Sequence, residues 1–156
     1  MNILFLCTAN SCRSILSEAL FNHLAPAGFR AVSAGSQPSG AVHPLTLKAL
    51  QRAGISTAGL ASKSSDSHAE LKPEIVITVC DKAAGEACPV YFGSAIKAHW
   101  GLKDPSEVAG TEAQIDSAFD ATVAQIRTRI EAFLALPLDR FGTAELTTEL
   151  ARIGRF

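Results

Sequence analysis

Short apolar runs alternate with stripes of helical period along most of this 156-residue chain, and the alternation restricts the folds open to it. Four runs have the apolar or β-branched character of buried strands: residues 3–6, 30–34, 75–79 and 96–100. Apolar positions at helical spacing follow in segments that begin near Arg13, Pro44, Thr111 and Leu146. Strands that alternate with helices favour a parallel sheet covered on both faces. We therefore predict an α/β fold, a single-domain three-layer sandwich with a four-stranded parallel sheet flanked by helices.

Composition argues against several classes of function. The chain has 14 Lys and Arg against 15 Asp and Glu, so no basic excess predicts nucleic-acid binding. No apolar segment is long enough to cross a bilayer, and the first residues lack the positive charge of a signal peptide. We therefore predict a cytoplasmic protein with no membrane or nucleic-acid partner. In that reducing compartment, cysteines act as metal ligands, catalytic groups or inert core residues; here they are Cys7, Cys12, Cys80 and Cys88.

A loop of small and polar residues joins the first predicted strand to the first predicted helix. Its sequence is Cys7-Thr8-Ala9-Asn10-Ser11-Cys12-Arg13-Ser14. A short loop that enters a helix can turn its backbone N–H groups inward as a nest for an anion, and the helix dipole adds positive charge there. Arg13 can bind two oxygens of a tetrahedral oxyanion through its planar fork.

Cys7 is the candidate nucleophile of this loop. The positive field should favour its thiolate, because helix N-termini and cations lower a cysteine pKa from about 8.5 to roughly 3.5–7.5. Ser14 is placed to donate a hydrogen bond to that thiolate, and Asn10 is expected to adopt the left-handed backbone of a tight turn. The alternative is a chance pairing of a buried cysteine with a surface arginine. The strand before the loop, the helix after it and Ser14 all argue against that alternative.

This loop resembles that of the low-molecular-weight protein tyrosine phosphatase superfamily, and residues 7–14 are similar to its arsenate reductase branch. The resemblance covers residues 1–136, a phosphatase-like arsenate reductase domain, and residues 137–156 are a C-terminal helical extension of that domain. The superfamily fold is a four-stranded parallel sheet flanked by helices, which agrees with the alternation. The resemblance implies that the oxyanion binds to the loop residues Thr8, Ala9, Asn10, Ser11, Cys12, Arg13 and Ser14.

The resemblance also implies a relay of thiols. Cys7 attacks arsenate, Cys80 attacks the Cys7 adduct so that arsenite leaves, and Cys88 receives the disulfide for delivery to a reductant. Seven residues separate Cys80 from Cys88, one more than in the best-known thioredoxin-linked members, so thioredoxin and glutathione with glutaredoxin both stay open as donors. The alternative is an inert Cys80 at a strand end beside an incidental Cys88. A structural zinc site is disfavoured because the cysteines lack a C-x2–4-C spacing.

Asp104 follows the last predicted strand, and the resemblance implies that it is the general acid. A turn aspartate before Pro105 is the alternative. Phosphatases of the superfamily commonly carry an aromatic residue after this Asp-Pro pair, whereas Ser106 and Glu107 follow here. Arsenate reduction is therefore favoured over two alternatives, a tyrosine phosphatase that forms a phosphocysteine and a non-enzymatic thiol redox sensor.

No tightly bound cofactor and no required metal are predicted. Some reductases of the superfamily bind potassium near the loop, and the resemblance gives Asn10, Glu18, Ser33 and Asp66 as the counterparts of that site. Solvated polar residues are the alternative, because a hard cation needs several converging oxygens.

Overall fold

A four-stranded parallel sheet is the centre of the fold in this computed structural model, which describes residues 1–68, 70–80 and 93–156. Its strands are β1 (Asn2–Cys7), β2 (Arg30–Gly35), β3 (Ile75–Thr78) and β4 (Ile96–His99). Their order across the sheet is β2-β1-β3-β4, and each neighbouring pair is parallel. All four strands lie where apolar or β-branched runs predicted them. The predicted α/β fold is confirmed.

Helices accompany the sheet in the described ranges: α1 (Arg13–Leu24), α2 (Pro44–Arg52), α3 (Glu112–Leu134) and α4 (Thr143–Ile153). A capping box starts α3, because Gln114 N–H donates to Thr111 Oγ1 (3.2 Å) and Thr111 N–H donates to Gln114 Oε1 (2.8 Å). Within the described part of the chain, no helix combines the length and the apolar composition that crossing a membrane requires.

The two faces of the sheet bury separate apolar clusters. Phe5 of β1 and Ile77 of β3 lie in the larger cluster, together with side chains from all four helices. Leu4 and Val76 belong to the smaller cluster on the opposite face, because successive side chains of a strand alternate between faces. Burial on both faces fixes the register, since a slip of one residue would exchange the two sets of side chains.

That register determines where the cysteines lie. Leu6 of β1 pairs with Thr78 of β3, and Val79 N–H donates to the Leu6 carbonyl (2.9 Å). The chain therefore leaves β3 at Cys80, beside the end of β1 where Cys7 stands. Cys7 and Cys80 share one edge of the sheet, as their positions after predicted strands suggested.

Candidate active site

Residues 7–13 form a loop whose carbonyl groups face away from its centre. The carbonyl oxygens of Cys7, Thr8, Ala9 and Ser11 accept hydrogen bonds of 2.9 to 3.3 Å from the backbone N–H groups of residues 36, 37, 39 and 43. In a trans peptide the carbonyl and the next N–H point in opposite directions, so these contacts turn the loop N–H groups inward. One of them, the Asn10 N–H, acts on the Cys7 thiol in the direction that lowers its pKa. With α1 starting at Arg13, the loop has the form of the predicted anion nest.

Asn10 holds the turn of this loop. Its φ of 48° is the left-handed backbone expected of it, and its side chain is fully buried. Its amide nitrogen donates to Ser14 Oγ (2.8 Å) and Ser33 Oγ (3.0 Å), while its amide oxygen accepts from Lys63 N–H (2.8 Å). Asn10 thus ties the loop to α1, to β2 and to the segment before the turn Ser65–His68. A hydrogen bond from Ser14 to the Cys7 thiolate stays a prediction.

Gly35, the last residue of β2, lies against the loop. A Cβ atom at this position would be 2.4 Å from the Thr8 carbonyl oxygen and 3.0 Å from Asn10 Cβ. Real Cβ atoms do not approach backbone so closely, so only glycine lets the strand end pack under the loop. The sequence predicted a strand over residues 30–34, which ends next to Gly35, and gave no sign of this contact.

Gly35→Ala should therefore destabilise the fold and weaken anion binding together. We expect a loss of about 1–3 kcal/mol in the free energy of unfolding, because an added methyl group must displace the loop backbone. Denaturant unfolding and calorimetric titration with inorganic phosphate measure the two effects. Gly142→Ala is the matched control, since its Cβ would meet nothing nearer than a side-chain oxygen at 3.9 Å. Unchanged phosphate affinity in Gly35→Ala would show that this contact does not shape the loop.

Cys80 lies beside the candidate nucleophile. Its thiol interacts with that of Cys7 and raises the pKa of Cys7, and its Sγ lies 3.6 Å from Thr8 Oγ1. Both cysteines are buried and reduced. The role of Cys80 in the relay of thiols stays a prediction.

The predicted low pKa of Cys7 is wrong for this arrangement. The pKa of Cys7 is raised, first by the hydrogen bond with Cys80, then by burial and by repulsion from the charge of Cys80. Arg13 and the Asn10 N–H lower it and do not outweigh these causes. The field of the loop alone favours the Cys7 thiolate, and the neighbouring Cys80 thiol outweighs that field. Two sulfurs in contact resist carrying two negative charges, so they titrate as a pair.

Removing the Cys80 thiol should therefore let Cys7 ionise at lower pH. In Cys80→Ala, the pH midpoint for alkylation of Cys7 by iodoacetamide should fall, because the largest cause of the raised pKa is gone. Peptide fragmentation by mass spectrometry separates Cys7 from Cys12 in the alkylated protein. A midpoint that rises in Cys80→Ala would mean that Cys80 donates its proton to a Cys7 thiolate instead.

Arg13 and Asp104 face one another across the site. Arg13 Nη2 lies 3.6 Å from Asp104 Oδ2, and Arg13 Nη1 donates to the Leu102 carbonyl (3.1 Å). The other carboxylate oxygen of Asp104, Oδ1, accepts from the Ser106 N–H (2.9 Å) and from the Ser106 hydroxyl (2.6 Å). Oδ2 is therefore the oxygen of Asp104 that faces Arg13. Ser106, which the sequence marked only as a departure from the phosphatases, fixes the orientation of the carboxylate.

The remaining two cysteines are Cys12 and Cys88. Cys12, the residue before α1, is buried, and burial raises its pKa to about 11 although a Thr46 hydrogen bond acts against this. A buried, protonated thiol is a poor nucleophile, so Cys12 does not compete with Cys7 for that role. The shuttle residue Cys88 lies outside the described residues, and its role stays a prediction.

The residues predicted for potassium lie partly together. Ser33 Oγ donates to Glu18 Oε1 (3.1 Å) and accepts from the Asn10 amide, while Asp66 is exposed in the neighbouring 3-10 turn. The Lys63 ammonium, which the sequence argument missed, lies 3.6 Å from Glu18 Oε1. The ammonium group lies beside the Glu18 carboxylate, where a potassium ion would have to bind. Asn10 directs its NH2 group toward Ser33. These residues do not suit a resident hard cation, which needs several free oxygens.

Comparisons with known proteins agree with the fold. The model of the low molecular weight phosphotyrosine protein phosphatase family matches residues 2–150, and the chain belongs to that family.

Three proteins similar to this chain are named arsenate reductases. The chain is 33% identical over 131 residues to an arsenate reductase of Halalkalibacterium halodurans, which covers 84% of this chain and 93% of the relative. A solved arsenate reductase in the phosphate binding state is 26% identical with a TM-score of 0.71, covering 86% of this chain and 96% of that one. A thioredoxin-dependent arsenate reductase of Corynebacterium glutamicum is 27% identical with a TM-score of 0.59, covering 83% of this chain and 61% of that one.

Proposed function

We propose that this protein is an arsenate reductase in which Cys7 attacks arsenate and Cys80 resolves the adduct. The observation that carries this proposal is the position of the Cys80 thiol, which lies beside Cys7 and Thr8 at the edge of the anion nest. A phosphatase that forms a phosphocysteine has no use for a second thiol there, whereas reduction of arsenic requires one. Relatives named arsenate reductase, about a third identical over most of the chain, support the same choice.

The proposed first step forms a sulfur–arsenic bond. The Cys7 thiolate attacks the arsenic atom, and one oxygen of arsenate leaves as water after accepting protons, one of them from Asp104. Arg13 and the inward N–H groups of the loop hold the remaining oxygens and stabilise their charge. The carboxyl group of Asp104 suits the acid role because Ser106 binds Oδ1 and leaves Oδ2 beside Arg13.

The second step breaks that bond. The Cys80 thiolate attacks Cys7 Sγ, a sulfur–sulfur bond forms, and the electron pair of the sulfur–arsenic bond remains on arsenic. Arsenic is thereby reduced from As(V) to As(III) and leaves as arsenite, while the two sulfurs are oxidised to a disulfide. Formation of the adduct also removes the charge of Cys7, so Cys80 can then ionise without the repulsion that couples the free thiols.

Turnover needs an external reductant. In the proposed relay Cys88 attacks Cys80 and carries the disulfide to thioredoxin, or to glutathione and glutaredoxin. Thioredoxin is our first choice, in keeping with the thioredoxin-dependent relative. The reaction would serve arsenic detoxification in the reducing cytoplasm, and we leave potassium outside it because Lys63 already neutralises Glu18.

The direct test is an assay of arsenite production with each reducing system in turn. Purified protein with arsenate should turn over repeatedly with thioredoxin, thioredoxin reductase and NADPH, and more slowly or not at all with glutathione and glutaredoxin. No multiple turnover with either system would refute the proposal and favour a redox sensor. Steady hydrolysis of p-nitrophenyl phosphate without arsenate reduction would favour the phosphatase alternative.

A further inference from the structure

Arg129 is a buried cation that the proposed reaction does not use. The residue lies in α3 and is only 3% exposed. Its Nη1 donates to the Gly101 carbonyl (3.1 Å), and its Nη2 donates to the main-chain oxygens of Gly154 (3.2 Å) and Phe156 (3.0 Å). Burial lowers the pKa of Arg129. Removing a cation from water is unfavourable, so packing alone would favour an apolar side chain at this position.

The carbonyl that Arg129 binds belongs to the segment that carries the active-site acid. Gly101 and Leu102 are consecutive, and their carbonyls accept from two different arginines, Arg129 and Arg13. Asp104 follows two residues later and faces Arg13. A displacement of the Gly101 peptide would therefore move both the Leu102 carbonyl that accepts from Arg13 and the Asp104 carboxylate beside Arg13.

The other carbonyls that Arg129 binds belong to the C-terminal residues after α4. This segment also approaches the end of β4 closely, since a Cβ atom on Gly154 would lie 2.5 Å from the His99 carbonyl oxygen. A second link is the Trp100 indole, whose Nε1 donates to the Leu150 carbonyl (3.0 Å). The C-terminal segment is thus held against residues 99–101 from two sides.

We infer that Arg129 is a positioning residue, which uses residues 150–156 as a brace to fix the segment that orients Arg13 and Asp104. The fixed planar fork of a guanidinium suits this task, because it binds the Gly101 carbonyl and the two C-terminal carbonyls simultaneously. An ammonium group of lysine is a point charge on a flexible stem and cannot hold all three in that geometry. The catalytic part of the inference rests on the proposed function, and the part that concerns anion binding does not.

Arg129→Lys tests the inference while keeping the positive charge. We expect inorganic phosphate and arsenate to bind roughly tenfold more weakly by calorimetry, because Arg13 loses its fixed acceptor. In the arsenate assay kcat should also fall, since Asp104 moves with the same segment. Arg127→Lys, at a partly exposed position on the same helix, is the matched control and should keep wild-type affinity.

A double-mutant cycle separates positioning from a merely structural role. If Arg129 acts through Arg13, the losses of phosphate affinity in Arg13→Lys and Arg129→Lys should not add in the double variant. Trp100→Phe removes the indole hydrogen bond together with part of a buried ring, and it should weaken phosphate binding in the same direction. This variant provides a second test if Arg129→Lys folds poorly. A lower unfolding temperature with unchanged phosphate affinity in both variants would overturn the inference. If arsenate is not reduced at all, the phosphate affinities still decide it.

Discussion

Replacing Cys80 with serine should abolish arsenite release and leave the anion nest intact. Serine keeps the size of the side chain and its place beside Thr8, so the fold and the loop should change little. A hydroxyl group cannot displace arsenic from Cys7 Sγ by forming a stable bond to sulfur, so the second step has no substitute. We expect turnover of arsenate to fall by about a thousandfold or more.

A single-turnover experiment makes this prediction sharpest. Reduced wild-type protein mixed with arsenate and no external reductant should release a single arsenite per chain and lose two free thiols. Cys80→Ser should release none, because no second thiol can supply the electron pair. Thiol titration measures the thiols that are lost, and speciation of arsenic by chromatography measures the arsenite that is released.

Phosphate binding and hydrolysis of p-nitrophenyl phosphate serve as the controls. Both depend on the loop and on Cys7, so Cys80→Ser should bind phosphate as the wild type does, and any phosphatase activity should survive. Cys7→Ser should abolish every reaction. Normal turnover of arsenate in Cys80→Ser would refute the relay, whatever the state of the loop.

The sequence was sufficient for features that depend on local pattern. Alternating apolar runs predicted the sheet, and apolar positions at helical spacing predicted a helix that begins near Thr111. The left-handed turn at Asn10 was also predictable, because the tolerance of Asn for that backbone is a property of the residue itself. Local pattern therefore located the loop and its flanking elements.

Features that depend on distant pairs were not predictable. The raised pKa of Cys7 comes from Cys80, which reaches it only through the register of β1 with β3. Gly35 matters because of a tertiary contact with Thr8, and Arg129 sits in a helix whose stripe gave no sign that a charge would be buried. Such residues are visible in the sequence, but their contacts are determined by the tertiary packing.

Arg13→Lys should have the second large effect, through the geometry of anion binding. The guanidinium already donates to the Leu102 carbonyl and lies beside Asp104, while the rest of its planar edge can hold oxygens of the substrate. Lysine keeps the charge but cannot serve the loop carbonyl and two arsenate oxygens together. We expect kcat/KM for arsenate to fall by about a hundredfold, similar to the loss of one oxyanion donor in other enzymes.

The measurement compares arsenate kinetics and phosphate affinity in the same protein. Arg52→Lys is the control, because Arg52 forms ion pairs with Asp116 and Asp120 on the exposed surface, where such pairs contribute little. If only charge mattered, Arg13→Lys would stay within about threefold of wild type, since the net field at the loop is the same. A larger loss, confined to Arg13→Lys, would mean that the fork itself binds the anion, and the loop would then select tetrahedral oxyanions by shape as well as by charge.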